Sequence, residues 1–181
     1  MPVPERAVVV PHDPRWEAEG RQCAHELRTA LSPWALCAEH VWSTAVPGMA
    51  AKPVLDMQVG VHDLPQAAPV FDRVPGGRGF TRLPIDADHV PAGRAGDQAG
   101  WKKLLYVRRD APRRDVNLHV RLRGAPNERF ALLFRDWFRA HPEARPAYAC
   151  FKTVLAEAVG DVATYSEIKD PVVDLVIVLA E

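Results

Sequence analysis

The chain has 181 residues, a length that one hydrophobic core serves, so a single domain over residues 1–181 is expected. Apolar residues make up 48% and charged residues 25%, which excludes both intrinsic disorder and a coiled coil. Lysine plus arginine equals aspartate plus glutamate at 23 each; zero net charge excludes whole-surface attraction to nucleic acid or an anionic membrane and leaves only local patches.

Residues Met1 to Val10 carry Glu5 and Arg6 before a short apolar stretch, so no secretory signal is visible and a cytoplasmic location is expected. Asp13-Pro14 is a cap followed by proline, and Trp16, Gly20, Cys23/Ala24, Leu27 and Leu31 recur at helical spacing, which predicts a helix over about 14–31. A strand is expected over Ala35–Val41. After a loop bearing Gly and Pro, Val54–Val61 alternates as a second strand, with Val54, Asp56 and Gln58 on one face and Leu55, Met57 and Val59 on the other. Asp63 caps a predicted helix through about Val74. Gly76-Gly77-Arg78-Gly79 then turns the chain into a short strand over Phe80–Leu83.

The stretch Pro84–Gly100 has almost no periodicity, and a loop of that length in a compact domain is a candidate lid. Leu104–Val107 and Val116–Leu122 read as an antiparallel pair, with Asn117, His119 and Arg121 on one strand face. Residues 101–123 hold eight basic side chains against Asp110 and Asp115. That local excess predicts an edge attractive to phosphate or carboxylate, with Arg121 ranked first because it shares the face of His119. Past Pro126, Phe130, Leu133/Phe134, Trp137/Phe138, Tyr148, Phe151 and Leu155 mark two packed helices. Asp170-Pro171 repeats the cap-plus-proline signal for a last helix, whose β-branched content leaves a strand open. Its apolar run, Val172–Ala180, is broken by Asp174 and falls far short of the roughly 20 residues of a membrane span, so no membrane partner is expected. Cys23, Cys37 and Cys150 have no CxxC spacing; buried thiols are expected rather than disulfides or a zinc site.

The stretch Glu39-His40-Val41-Trp42-Ser43-Thr44-Ala45-Val46-Pro47-Gly48-Met49-Ala50-Ala51-Lys52-Pro53-Val54-Leu55-Asp56 resembles the signature of the GrpB family. Asn117-Leu118-His119-Val120, the run Leu133 to Pro142, and Tyr148 with Lys152 extend the resemblance from about residue 8 to the C-terminus. The resemblance implies an α+β fold: a nucleotidyltransferase-like mixed β-sheet packed against helices, with a helical C-terminal part. It also implies a cleft around Asp56 that takes a nucleotide or another anionic small molecule, with Mg²⁺ held by Asp56. Some relatives are fused to dephospho-coenzyme A kinase, which points toward nucleotide metabolism.

This chain departs from that pattern at Trp42, where a glycine would let backbone N–H groups approach a phosphate, and at Gln58, where a second carboxylate would hold the metal. Asn117 and His119 stand where a third acid is expected. The candidate catalytic residues are therefore Asp56, His119, His40 and Lys52, and the candidate substrate-binding residues are Trp42, Ser43, Thr44, Gln58, Asn117 and Arg121. One acid, two histidines and a lysine suit acid–base work or anion recognition, so three functions compete: a nucleotide-type transferase, a metal-independent acid–base enzyme, and a noncatalytic ligand-binding module. Arg135 and Asp136 are candidates to buttress the pocket from behind.

Overall fold

The computed structural model describes residues 6–94 and 98–181. Helix α1 (Arg15–Ala30) begins where the Asp13 carboxylate accepts the Arg15 backbone N–H at 3.0 Å, and strands β1 (Cys37–Val41) and β2 (Val54–Val61) follow. Asp63 caps helix α2 (Leu64–Arg73) by accepting the Gln66 N–H at 2.7 Å. Strands β3 (Thr81–Leu83), β4 (Lys103–Arg108) and β5 (Asp115–Leu122) complete a sheet of order β1-β2-β5-β4-β3, and helices α3 (Pro126–Ala140), α4 (Arg145–Ala158) and α5 (Val162–Ala180) follow. Only β2 and β5 pair in parallel; the other pairs are antiparallel, which makes the sheet mixed and the class α+β.

Directly paired residues lie on the same side of a sheet, so the register sorts the chemistry. Leu55, Met57 and Val59 of β2, with Val116, Leu118 and Val120 of β5 and Leu104 and Tyr106 of β4, pack on Trp16, Leu27 and Phe71 from α1 and α2. The opposite face carries Asp56 beside Asn117, Gln58 beside His119, and Arg121 beside Lys103. Over this side lie α3, α4 and α5, joined through Phe130, Phe134, Phe138, Tyr148, Val173 and Ile177. One face of the sheet is an ordinary apolar core; the other is a polar floor under a helical roof.

Three expectations need correction. The last helix does not start at Asp170-Pro171: Asp161 is its cap, accepting the Thr164 N–H at 2.9 Å and the Thr164 hydroxyl at 2.8 Å, and Pro171 lies inside α5. Asp170 instead pairs with Lys169. The cysteines are not uniformly buried, since Cys37 is half-buried and Cys150 is exposed on α4, whose inward positions are Tyr148 and Lys152. The basic edge is largely neutralised: Arg114 reaches Asp13 and Glu19, Arg108 and Arg113 share Asp110, Arg109 faces Asp115, and Arg123 binds Glu128.

The proposed lid is tied down in its described part. Lys103 N–H donates to Asp86 O and Asp88 N–H to Trp101 O, each at 2.8 Å, while His89 and the Ala92 N–H meet Asp174 of α5. Among the described residues, no helix is long and apolar enough to cross a membrane.

His40 pairs with Met57, so it faces α1 and not the polar floor. Its ring fits because Gly20 has no side chain: a Cβ there would lie 2.2 Å from His40 Nδ1 and 2.6 Å from Cγ. Gly20→Ala improves helix propensity by about 1 kcal/mol, yet overpacking in a core typically costs about 1–3 kcal/mol. The clash is expected to dominate. Urea unfolding of Gly20→Ala should show a lowered midpoint; a gain in stability would contradict this packing.

Candidate functional site

Between floor and roof lies a cavity of ≈ 310 Å³, walled by Asp56, Asn117, His119 and Arg121 from the sheet, Trp42, Ser43, Thr44 and Lys52 from the β1–β2 connection, and Tyr148, Lys152, Tyr165 and Lys169 from the roof. Of the ten candidate residues, eight meet here. His40 and Gln58 do not.

Gln58 is fully buried, donating to the Glu128 carbonyl at 3.2 Å and accepting from Arg121 Nη1 at 2.7 Å. It holds Arg121 in place rather than facing a ligand. His40 lies on the far side of the sheet, 2.9 Å from Thr44 Oγ1. Since the Thr44 hydroxyl donates its proton to Val54 O at 3.2 Å, the His40 Nε2–H is the donor, so His40 positions a cavity residue without reaching the cavity. Burial, reinforced by Arg139 and Arg135, pushes its pKa down to about 4 despite the Asp56 charge. Arg135 ties α3 to β1 through Glu39 and the His40 carbonyl, with Asp136 on its other edge.

Asp56 is the acid at the centre of the floor. Burial works to raise its pKa, but the neighbouring His119 ring first, then the Asn117 amide donating at 2.8 Å and the Lys52 charge, hold it below the usual carboxylate range and keep it ionised. His119 Nε2 lies 3.5 Å from Asp56 Oδ1, at the limit of a hydrogen bond, and has no hydrogen-bond partner among the described residues. Burial first, then the charges of Arg121 and Lys103, push the pKa of His119 down to about 4, so its ring is neutral at pH 7. Arg121 Nη2 approaches Nδ1 at 3.4 Å, which leaves the proton on Nε2, facing Asp56 and the cavity.

Three side chains that sequence patterning did not put in the site prove central. Asp88, from the long loop, accepts from Arg121 Nε and Lys103 Nζ at 2.8 and 2.7 Å and from Asn127 at 3.0 Å. It neutralises the very arginine ranked as the leading anion contact. Lys152, only 2% exposed, donates to Ser43 Oγ at 3.0 Å and Ala50 O at 2.6 Å, with its amine 4.8 Å from the centre of the Tyr148 ring. Burial, then the Lys169 and Lys52 charges, bring its pKa down to about 7, with Asp56 opposing. Lys169 joins Lys52, Lys103 and Lys152 on the cavity wall and pairs with Asp170 at 3.3 Å. Asp88 was discoverable, because two buried cations paired across β4 and β5 on one sheet face demand an acid; nothing in the local pattern of α4 marked the environment of Lys152.

Trp42 has φ 59° and ψ −156°, a region almost reserved for glycine whose cost is of order 1–3 kcal/mol. The glycine-like backbone is thus retained with an indole attached, packed 5.0 Å from Phe134 between ring centres. A Mg²⁺ site does not fit the remaining donors. Asp56 has amides, a neutral imidazole and lysines around it, Asp88 is held by two cations, and among the described residues no three of His, Cys, Asp or Glu form a metal-holding group.

Comparison with known proteins agrees with the fold. The family model described as "GrpB protein" matches residues 6–178. A protein named dephospho-CoA kinase from Mycolicibacterium paratuberculosis is 38% identical over 177 residues, covering 90% of this chain and 43% of its own length. UPF0157 protein PA4798 from Pseudomonas aeruginosa is 34% identical over 173 residues, covering 93% of this chain and 65% of that protein. The crystal structure of the conserved protein GrpB from Enterococcus faecalis superposes with a TM-score of 0.75 at 23% identity, covering 96% of each chain. The chain therefore spans less than half the length of the mycobacterial kinase relative.

The two depressed histidines make stability depend on pH. Their pKa in the folded state, about 4, lies below the unfolded value near 6.5, so as pH falls the unfolded chain takes up protons first. Their contribution is complete above pH 6.5 and is lost between about 6.5 and 4. Chemical denaturation at pH 7, 6 and 5 should show falling stability, with a shallower fall in His40→Gln; equal stability at the three values would contradict the burial of both neutral rings.

Proposed function

The chain belongs to the GrpB family, and from that premise we propose that the cleft binds a small anionic organic molecule and acts on it by acid–base chemistry without a metal ion. One observation carries this reading: the cavity sets the Asp56 carboxylate near Lys52, Lys152, Asn117 and a neutral His119 whose Nε2–H has no hydrogen-bond partner among the described residues. Lysines near a buried wall attract an anionic group. Asp56 and His119 supply an acceptor and a donor within one hydrogen-bond length of each other. Lys152, titrating near neutrality, supplies a group that both takes and returns a proton at working pH. Trp42, Phe134, Tyr148 and Tyr165 give the same cavity apolar walls for the carbon frame of the ligand.

A nucleotide or another phosphorylated molecule is the second reading, favoured by the kinase name of the mycobacterial relatives. The sequence has no G-x-x-x-x-G-K-[ST] loop, so that name bears on the type of ligand and not on a phosphoryl transfer by this chain. Trp42 takes the glycine position of the pattern the sequence resembles, and an indole there would crowd a triphosphate.

Thermal unfolding separates the two. A bound ligand at a hundredfold excess over its dissociation constant stabilises by about 2.7 kcal/mol, a shift of several degrees at this size. Among small carboxylates and phosphates screened with EDTA present, at least one should raise Tm, and Lys52→Met or Asp56→Asn should abolish that rise. MgATP at millimolar concentration should leave Tm unchanged. A Mg²⁺-dependent rise with ATP would overturn the metal-free reading and support the nucleotide one.

A further inference from the structure

The placement of Ser43 points to a more specific chemistry than proton transfer. Ser43 is the first residue of the single helical turn Ser43–Ala45 that follows β1, and the residue before it, Trp42, holds the Gly-type backbone described above. A serine on a strained turn between a strand and a helical turn, raised over a cavity at the end of a sheet, is the geometry that exposes a hydroxyl to a substrate. The same hydroxyl lies 3.0 Å from the Lys152 amine. Ala50 O takes another N–H of that amine at 2.6 Å and so fixes its direction. Neither histidine serves Ser43: His40 faces α1 across the sheet, and the Nε2 of His119 faces Asp56.

We propose that Ser43 is a nucleophile activated by Lys152, and that the chain hydrolyses a small carboxylic ester or thioester bearing an anionic group. This inference rests on the cleft being a small-molecule site, and adds the reacting bond. In the first step the neutral Lys152 amine takes the Ser43 proton while Oγ bonds to the acyl carbon; the bond from that carbon to the alcohol or thiol oxygen or sulfur then breaks, and Lys152 returns the proton to the leaving group. In the second step water attacks the Ser43 ester, gives a proton to Lys152, and the released Ser43 oxygen recovers it as the acid departs. Atoms balance with water as the only co-reactant. A serine paired with a lysine base is a known variant of the serine–histidine arrangement. The base is available at neutral pH because burial and two neighbouring lysines disfavour its charged form. The anionic end of the substrate falls to Lys52, with Lys169, itself paired with Asp170, on the same wall.

The test uses mono-p-nitrophenyl succinate and, separately, a fluorophosphonate, each with the whole chain at pH 7 to 9. The expected result is a stoichiometric burst of p-nitrophenolate with the succinyl group, and the phosphonyl group, mapped by peptide mass to Ser43. Ser43→Ala should lose both adducts, Ser43→Cys should keep a succinyl adduct, and Lys152→Met should slow labelling by roughly 10²-fold or more, with circular dichroism confirming that each variant is folded. An adduct on Lys152 instead of Ser43, an undiminished burst in Ser43→Ala, or no adduct from either reagent would overturn the proposal. Tm shifts with succinate or inorganic phosphate, measured on the same samples, keep the two readings apart: an anion that binds without acylation removes the nucleophile alone, while failure of both removes the cleft reading as well.

Discussion

A sheet face carrying Asp56, Gln58, Asn117, His119, Arg121 and Lys103 is covered by helices, and this sets the terms for everything around it. A buried polar group without a partner costs about 1–3 kcal/mol, and an unpaired charge costs more. Each group on that floor therefore needs an answer from inside the protein. Arg121 is answered by Asp88 and Gln58, which is why an apparently shapeless loop is drawn across the sheet and why the residue expected as a second metal ligand turns out to be a bracket. Asp56 is answered by Asn117. His119 responds by staying neutral, and its Nε2–H has no hydrogen-bond partner among the described residues.

The roof faces the same problem from above. Lys152 is buried against Tyr148, with two oxygen acceptors and, among the described residues, no carboxylate directly bonded to it. Its charge is disfavoured, and an amine that is ammonium in water becomes a base near neutral pH. The strained backbone at Trp42 belongs to the same economy of space: the turn that brings Ser43 to the amine needs a φ that a tryptophan dislikes, and packing of the indole on Phe134 offsets part of that strain. The contrast with a metal-dependent site is thus physical. A hard cation wants converging carboxylates, while here amines, an amide and a neutral ring surround Asp56. The other acids of the cavity wall are paired elsewhere, Asp88 with Arg121 and Lys103, Asp170 with Lys169 and Asp174 with His89.

Much of this was legible in the sequence. Period-2 alternation put Asp56, Asn117, His119 and Arg121 on the right faces, and the family resemblance brought their two strands together. His40 went to the wrong side because face assignment within a strand says nothing about register between strands: pairing of His40 with Met57, rather than with Asp56 or Gln58, is decided by the connection from Trp42 to Pro53. The start of the last helix was misplaced because Asp170-Pro171 imitates a cap, whereas the working cap, Asp161, lies at Gly160-Asp161 where no proline follows. Arg121 was correctly set on the floor, but its charge balance depends on Asp88, from a segment with no period to read. The chemistry of Lys152 is invisible locally, since it comes from burial beneath a roof that only tertiary packing builds.

The titration of the Lys152 amine tests the account most directly. Side-chain Nζ resonances followed by ¹⁵N NMR from pH 5 to 11, with Lys152→Met for assignment, should show the Lys152 amine titrating near pH 7. If Lys152 instead stays protonated up to pH 10, the cleft holds a permanent ammonium and no base beside Ser43. The site would then be an anion-binding pocket without the acid–base chemistry assigned to it.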